Sequence, residues 1–365
     1  MTIARSSSLD ANHIRTRKGG RRRARAMIVA TSLAVALAVG AAAPARADAV
    51  ADFYKGKSID LFIGFGPGGG YDTYSRVLAR HFGKFLPGNP TVTPQNMPGG
   101  GGLTVANFIY NKAPRNGTSL AMFGAFTGLE PLFGNDNARF ETVKFTWVGN
   151  MNIDLAACGV WHTSKIKSFE DMKERQVIFG SSGKASTTSQ HPLTMKNLLG
   201  IKTKVIVGYQ GTKDINLAMR RGEVDGSCGL YLSSVMSEWN QDLTNGDLHI
   251  VIQFGRKNAP LFGDAVNIYD LLKTDEEKQV ADIIFRQNEI GRPVVGAPDI
   301  PADRVAALRA AFMQTMKDPG FLADAEKARI PIDPMTGEDV TQLFQSFYEV
   351  PASVIARAKD AMNAE

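Results

Sequence analysis

The sequence predicts an α/β protein with layers arranged around mainly parallel sheets. Short apolar runs typical of buried strands alternate with amphipathic helical stretches along most of the chain. Glycine-rich turns follow several of these strands, at the ends where open α/β sheets bind ligands. The 365 residues are enough for two domains of ordinary size.

The first predicted strand and helix enclose a glycine-rich turn. Apolar residues at 59–63 indicate a buried strand, and the turn occupies 64–70. A helix is expected to start near 71–72, because apolar side chains then recur every three or four residues. A Pro-Gly pair at 87–88 ends this pattern.

The next elements surround a second glycine cluster. The segment at 91–93 precedes four consecutive glycines at 99–102, and a periodic apolar stretch follows at 103–110. The strand predicted at 119–123 leads into another turn of small residues at 124–128.

The rest of the chain continues the alternation. Further apolar runs predict strands at 145–148, 155–161, 177–179, 204–207, 223–227 and 249–254. Periodic apolar positions predict helices at 168–173, 188–199, 214–221, 303–317 and 337–361.

The N-terminal segment is typical of a secretory signal peptide. A basic stretch to residue 25 precedes an apolar stretch at 27–43 and an A-x-A pattern at 45–47. Residues 1–47 are therefore predicted to be a signal peptide that is cleaved after Ala47. An uncleaved anchor is the alternative, although about 17 apolar residues are few for a bilayer span. The paired arginines leave both Sec and twin-arginine export open.

The basic character of the chain belongs to that segment. The sequence has 42 Lys and Arg against 36 Asp and Glu, a formal charge of +6. Residues 1–47 hold nine of the basic residues and one acid, which leaves 33 basic and 35 acidic residues and a net charge of −2. A nearly neutral mature protein lacks the basic surface that phosphate backbones require, so no nucleic-acid partner is expected.

The first glycine-rich turn resembles a dinucleotide fingerprint only in part. Residues 64–69 satisfy G-x-G-x-x-G between a strand and a helix, but no Asp or Glu occurs at 73–129 to hold a ribose. Gly183-Lys184 lacks the rest of a phosphate-binding loop as well, and no cofactor is predicted. Backbone N–H groups at 67–71 suit a carboxylate, whereas the alternative is a turn selected only for packing. Asp72 is expected to cap the helix.

A second loop, at 180–189, is rich in hydroxyl groups and precedes a predicted helix. Its residues suit a carboxylate or another polar ligand. Gly180-Ser181-Ser182-Gly183 does not match G-x-S-x-G, the signature of a hydrolase nucleophile. His81, His162, His191 and His249 have no metal-ligand spacing, so no metal is predicted. Cys158 and Cys228 form either a disulfide or two buried thiols.

Five motifs occur in an order that resembles the tripartite tricarboxylate transporter receptor family, also called Bug proteins. They lie at 65–72, 96–102, 113–117, 180–183 and 209–211, and the resemblance covers nearly the whole mature chain. It implies a type II periplasmic binding-protein fold, in which two α/β lobes enclose a ligand cleft. The expected domains are a signal peptide at 1–47, lobe 1 at 48–152 plus 252–365, and lobe 2 at 153–251.

The resemblance also implies a site that grips a carboxylate through loops of both lobes. The expected ligand-binding residues are Pro67, Gly68, Gly69, Gly70, Tyr71, Asp72, Phe126, Thr127, Ser181, Ser182, Gly183, Ser186, Thr187, Thr188 and Tyr209. The chain departs from the family pattern at four positions, where Arg, Glu, Asp and Gly are usual: Met97, Gln95, Asn116 and Ala185.

The expected function is that of a soluble, monomeric, non-enzymatic periplasmic receptor. It would capture a small organic carboxylate and deliver it to the subunits of a membrane transporter. Two alternatives stay open: an exported hydrolase that uses a serine of 181–189, and a periplasmic ligand sensor or accessory protein.

Overall fold

The computed structural model describes residues 49–363, so the predicted signal peptide lies outside the described residues. Two six-stranded sheets define two lobes. The sheet of lobe 1 has the order β12-β4-β11-β3-β1-β2, and that of lobe 2 has the order β10-β9-β5-β8-β6-β7. The strands are β1 (Ser58–Ile63), β2 (Thr91–Asn96), β3 (Ser119–Met122), β4 (Thr146–Asn150), β5 (Ala156–Trp161), β6 (Val177–Ser181), β7 (Thr203–Val207), β8 (Gly226–Tyr231), β9 (Leu248–Phe254), β10 (Val266–Asn267), β11 (Pro293–Gly296) and β12 (Met335–Thr336).

Helices cover the faces of both sheets. They are α1 (Gly70–Phe82), α2 (Leu103–Asn111), α3 (Ala125–Leu129), α4 (Phe169–Glu174), α5 (Thr187–Leu199), α6 (Thr212–Arg220), α7 (Leu232–Ser234), α8 (Asn240–Thr244), α9 (Ile268–Leu271), α10 (Asp275–Phe285), α11 (Ala302–Thr315), α12 (Pro319–Lys327), α13 (Gly337–Tyr348) and α14 (Ala352–Ala361). The single helical stretch expected at 337–361 is broken between α13 and α14, where Pro351 precedes the second helix. Within residues 49–363, no helix is long and apolar enough to cross a bilayer.

The sheets are mixed, although the sequence predicted mainly parallel ones. Strand β11 runs antiparallel to β3 and β4 in lobe 1, and β5 runs antiparallel to β8 and β9 in lobe 2. Both are the strands by which the chain enters a lobe from the other one. An apolar run identifies a strand but carries no information on its direction, which explains the difference.

Two of the three connections between the lobes lie side by side. The backbone N–H of Met151 donates to the carbonyl of Arg292 over 3.0 Å, and that of Asp154 donates to Asn288 over 3.1 Å. The side chain of Asn150 accepts from the N–H of Arg292 over 2.7 Å. These bonds make the two crossover segments one hydrogen-bonded connection between the sheets.

The sheet of lobe 2 extends beyond the predicted lobe boundary. Residues 252–365 were assigned to lobe 1, yet β9 crosses position 252 while paired with β5, and β10 continues the same sheet. The chain also returns to lobe 2 at its end, because α14 packs on α5 and α10. Asn197 of α5 donates to the carbonyls of Asp360 and Ala361 over 3.1 and 3.0 Å. Strand partners and helix docking depend on contacts distant in sequence, which the local pattern does not show.

A disulfide ties two neighbouring strands of lobe 2. Cys158 of β5 and Cys228 of β8 are bonded, and both are fully buried. Of the two alternatives that the sequence left open, a disulfide or two buried thiols, the structure contains the disulfide.

Candidate functional site

A cavity of about 40 Å³ lies between the two lobes. Lobe 1 contributes Phe65, Gly69, Gly70, Tyr71, Gly101, Gly124, Phe126 and Thr127 to its wall. Lobe 2 contributes Ser182, Ala185, Ser186, Thr187, Thr188, Gly211, Thr212, Gly229, Tyr231 and Ser234. No Lys, Arg, His, Asp or Glu belongs to this set of described residues, so the wall consists of backbone, hydroxyl and aromatic groups.

Five helices begin at this cavity. The residues that precede the first turns of α1, α3, α5, α6 and α7 all line the wall, and none of the five caps its helix with a side-chain hydrogen bond: Gly69, Gly124, Ser186, Gly211 and Tyr231. Of the nine other described helices, five have such a cap and four do not; the capped ones are α4, α9, α10, α12 and α13. The uncapped N–H groups and the positive ends of the helix dipoles thus converge on one small space.

The backbone of the glycine-rich turn in lobe 1 directly contacts the backbone of lobe 2. The N–H of Gly66 donates to the carbonyl of Gln210 over 2.8 Å. A Cβ at Gly69 would lie 2.8 Å from the Thr212 hydroxyl oxygen. These glycines therefore allow contact between the lobes as well as approach to the cavity.

The second glycine cluster makes a similar contact on another side of the cavity. A Cβ at Gly183 would lie 2.4 Å from the backbone nitrogen of Gly101, and one at Gly101 would lie 2.8 Å from that of Ser186. Thr127 donates to the carbonyl of Gly101 over 2.9 Å and fixes the lobe 1 side of this contact. Only residues without a Cβ fit this approach of backbone to backbone.

Asp72 stabilises the first turn from behind and does not line the cavity. Helix α1 begins at Gly70, so Asp72 lies in its first turn instead of capping it as predicted. Its carboxylate accepts from the N–H of Gly68, from Arg76 Nε and from Asn96 Nδ2, each over 2.9 Å. Burial opposes ionisation, but these hydrogen bonds outweigh it and hold the pKa of Asp72 below its ordinary value.

The hydroxyl-rich loop forms its own hydrogen-bonded network. Ser181 is buried and bonds to the hydroxyls of Thr188 over 2.8 Å and Ser189 over 2.6 Å. The Ser182 hydroxyl donates to that of Ser186 over 3.0 Å. His191 lies apart in the apolar core, where its ring packs on Phe254 and Phe285, and its ring nitrogens bond to no described residue. The loop thus presents preorganised hydroxyls, and the serines described here are paired with hydroxyls instead of with an imidazole.

The structure brings nine of the fifteen predicted site residues to the cavity wall: Gly69, Gly70, Tyr71, Phe126, Thr127, Ser182, Ser186, Thr187 and Thr188. The other six lie behind or beside it: Pro67, Gly68, Asp72, Ser181, Gly183 and Tyr209. Pro67 and Gly68 are exposed, and Ser181 is buried within the network of the hydroxyl-rich loop. Tyr209 packs its ring near Gly180, outside the wall.

Sequence reasoning missed the charged centre behind the wall. Arg292 is completely buried, and its Nη2 donates to the hydroxyls of Ser233 and Ser234 over 2.7 and 3.0 Å. An ion pair of 3.7 Å joins it to the buried carboxylate of Asp154. A Cβ on Gly70 would lie 2.9 Å from the same Nη2, so the guanidinium lies directly behind a residue of the wall. An arginine immediately before the apolar strand β11 is the only sequence signal of this centre.

Glu238 is a second missed residue near the same glycine. Its Oε2 accepts from the Thr212 hydroxyl over 3.2 Å, and its Oε1 would lie 3.2 Å from a Cβ on Gly70. Burial raises the pKa of Glu238 to about 7, because the attraction of Arg292 compensates only part of the desolvation. Within residues 49–363, no group of His, Cys, Asp and Glu is arranged to hold a metal ion.

The fold is that of the two-lobed periplasmic binding proteins, as solved structures show. The chain is similar to the periplasmic binding protein BugD, with 17% identity and a TM-score of 0.65 over 84% of this chain and 98% of BugD. It is also similar to MatC from Rhodopseudomonas palustris, solved with bound malate, with 17% identity and a TM-score of 0.62 over 84% and 99% of the chains. Rpa4515 of R. palustris, solved with adipate, has 15% identity and a TM-score of 0.65 over 84% and 98%. No family model and no curated protein matches the sequence.

Proposed function

We propose that this protein is a periplasmic receptor of the tripartite tricarboxylate transporter type, which binds a small organic carboxylate between its lobes. The convergence of five uncapped helix starts on the cavity is the observation that carries this proposal. The three longer helices, α1, α5 and α6, each supply N–H donors and a favourable dipole, worth about 0.3–1 kcal/mol toward an anion, and the short α3 and α7 add backbone N–H groups. Several together are expected to hold a carboxylate without any charged side chain in the wall.

The enclosure of the cavity strengthens these interactions. Hydrogen bonds to an anion gain strength where water is excluded, and both lobes close over the space. A bound acid would contact both lobes at once and so favour the closed arrangement over an open one. The hydrogen-bonded crossover at 150–154 and 288–292 is a suitable hinge.

Two similar structures support an acid as the ligand. MatC was solved with malate and Rpa4515 with adipate, both dicarboxylates. The buried disulfide of lobe 2 agrees with an oxidising compartment such as the periplasm. We infer that the protein acts as a monomer, without catalysis, and hands the acid to a membrane transporter.

A panel of named acids tests the binding step. The mature protein is melted with and without acetate, succinate, malate, adipate, citrate and benzoate, and each shift is followed by calorimetric titration. A ligand present at 100 times its Kd adds about 2.7 kcal/mol, which corresponds to a shift of several degrees. The corresponding amides serve as uncharged controls, and native mass spectrometry looks for a retained acid. A protein that no acid stabilises, or that binds the amides equally well, contradicts the proposal.

A further inference from the structure

Tyr231 belongs to the cavity wall and has a buried hydroxyl that lacks a well-formed hydrogen bond to the described residues. The residue is 4% exposed, lines the wall, and ends strand β8. Its hydroxyl has no partner at ordinary hydrogen-bond geometry among the described residues, although the Tyr71 hydroxyl lies close enough to interact with it. A buried polar group left unpaired is costly, so a hydroxyl in this position is expected to have a partner when the site is in use.

The ring of Tyr231 lies on the guanidinium of Arg292. The Arg292 carbon Cζ is 4.6 Å from its ring centroid and 4.7 Å from that of Tyr71, which also lines the wall. A cation against the ring withdraws electron density and makes a phenol a better hydrogen-bond donor. Burial raises the pKa of Tyr231 well above its ordinary value, so the hydroxyl keeps its proton and does not repel an anion.

Arg292 is itself held rigidly in this position. The Ser233 and Ser234 hydroxyls and the Gly291 carbonyl bind its two terminal nitrogens, and Asp154 pairs with its charge. Such a buried cation cannot reorient toward solvent. It lies behind the wall residues Gly70, Tyr71 and Tyr231 and acts on the cavity through them.

We propose that the Tyr231 hydroxyl donates a hydrogen bond to an oxygen of the bound acid, with Arg292 as the positioning residue that orients and polarises it. This inference rests on the proposed function. It adds a ligand contact on the lobe 2 side of the cavity, outside the two loops from which the sequence predicted the site. The acid is then gripped by lobe 2 at two places, the hydroxyl loop and the end of β8.

The substitution Tyr231→Phe tests the contact, and Tyr74→Phe is the matched control. Tyr74 packs on the same guanidinium at 4.9 Å, but its hydroxyl donates to the Pro331 carbonyl over 2.7 Å and it does not line the cavity. Titration with the six acids of the panel should give a Kd about tenfold to a hundredfold higher for Tyr231→Phe, because a hydrogen bond to a charged group is lost. Tyr74→Phe should bind as the wild type does.

Melting of the unliganded proteins separates a ligand contact from a structural role. Tyr231→Phe removes an unpaired hydroxyl, so its melting temperature without acid should equal or exceed that of the wild type, whereas the shift produced by the acid should shrink. Arg292→Lys, which keeps the charge, should retain more of the preference for acid over amide than Arg292→Gln. If Arg292→Gln does not melt cooperatively, Arg292→Lys is compared with the wild type alone. An unchanged preference for acid over amide in Arg292→Lys then supports the role of the charge, and a lost preference contradicts it.

The outcomes distinguish this inference from the function on which it rests. A wild-type protein that binds none of the acids overturns both. Wild-type binding with an unchanged Kd in Tyr231→Phe overturns only the Tyr231 contact. A preference for acid over amide that is lost equally in Arg292→Lys and Arg292→Gln, with both proteins folded, shows that the geometry of Arg292 matters and not its charge, which overturns its polarising role.

Discussion

Replacement of Gly101 by Ala would test whether ligand binding requires the backbone contact between the lobes. Gly101 has a φ of +72°, and a Cβ there would lie 2.8 Å from the backbone nitrogen of Ser186 and 3.0 Å from the carbonyl carbon of Ala185. Both neighbours belong to lobe 2 and to its backbone, so neither can rotate away. The substitution therefore penalises the closed arrangement specifically.

Gly200 offers a control with the same backbone strain. It follows α5 with a φ of +69°, and a Cβ there would meet nothing within 4 Å. An alanine in this left-handed conformation costs about 1–2 kcal/mol at either position. That strain is present whether the lobes are open or closed, so it lowers stability in both variants but cancels from the Kd.

The difference between the variants should appear in ligand affinity. Overlap with a backbone that must shift costs about 1–3 kcal/mol, by analogy with overpacked cores. Because this cost falls only on the closed state, the Kd of Gly101→Ala for a panel acid should rise about fivefold to 150-fold. The Kd of Gly200→Ala should stay near the wild-type value. Calorimetric titration gives the Kd, and urea unfolding without acid gives the stability of each variant.

Equal affinities for the two variants would refute this reasoning. Such a result would mean that the acid binds without close contact between the glycine cluster of lobe 1 and the hydroxyl loop. Small-angle scattering with and without acid provides an independent check. The acid should reduce the radius of gyration of the wild type and of Gly200→Ala. At the same saturation with acid, the reduction should be smaller for Gly101→Ala.

The remaining predictions concern stability. Replacing Cys158 and Cys228 together by Ala should lower the free energy of unfolding by about 2–4 kcal/mol, since the bond closes a chain separation of 70 residues; urea unfolding measures this, and an unchanged midpoint would contradict it. Burial lowers the pKa of His191 to about 3, whereas the same imidazole in the unfolded chain has a pKa near 6.5. The contribution of this residue to the free energy of unfolding is therefore complete above pH 6.5 and declines as the pH falls toward 3. The slope should approach about 1.4 kcal/mol per pH unit, and His191→Phe should remove it in unfolding curves at pH 6.5, 5.5 and 4.5; equal slopes would show that His191 is not the titrating group.

Local patterns predicted the elements that build the cavity. The apolar run at 59–63 and the periodicity that follows correspond to β1 and α1, and the predicted helix at 188–199 corresponds to α5. Each of these elements is determined by its own residues, through strand burial or a helical apolar face. Strand direction and the extent of lobe 2 were not predictable in this way, because β9 finds β5 across nearly one hundred residues of chain.

The same distinction separates the site residues that were predicted from those that were missed. Glycines and hydroxyls cluster along the chain at 67–72 and 181–188, and such clusters are visible in a sequence. Tyr231 and Arg292 are single residues sixty-one positions apart, and nothing local marks either one. Only the fold brings the guanidinium against the ring, at 4.6 Å. A contact between residues so distant in sequence can be recognised only in the three-dimensional structure.

If the proposed function is correct, the placement of charge in this site favours reversible capture of an acid over maximal affinity. A lysine or arginine in direct contact with the acid would have to be desolvated, and its strong pairing would slow release to a transporter. Here the full positive charge is already paired with Asp154 and lies behind the wall residues Gly70, Tyr71 and Tyr231. The contacts left to the ligand are amides and hydroxyls, each of modest strength. Under the proposed function, a described cavity wall without charged residues would attract an anion and still release it when the lobes separate.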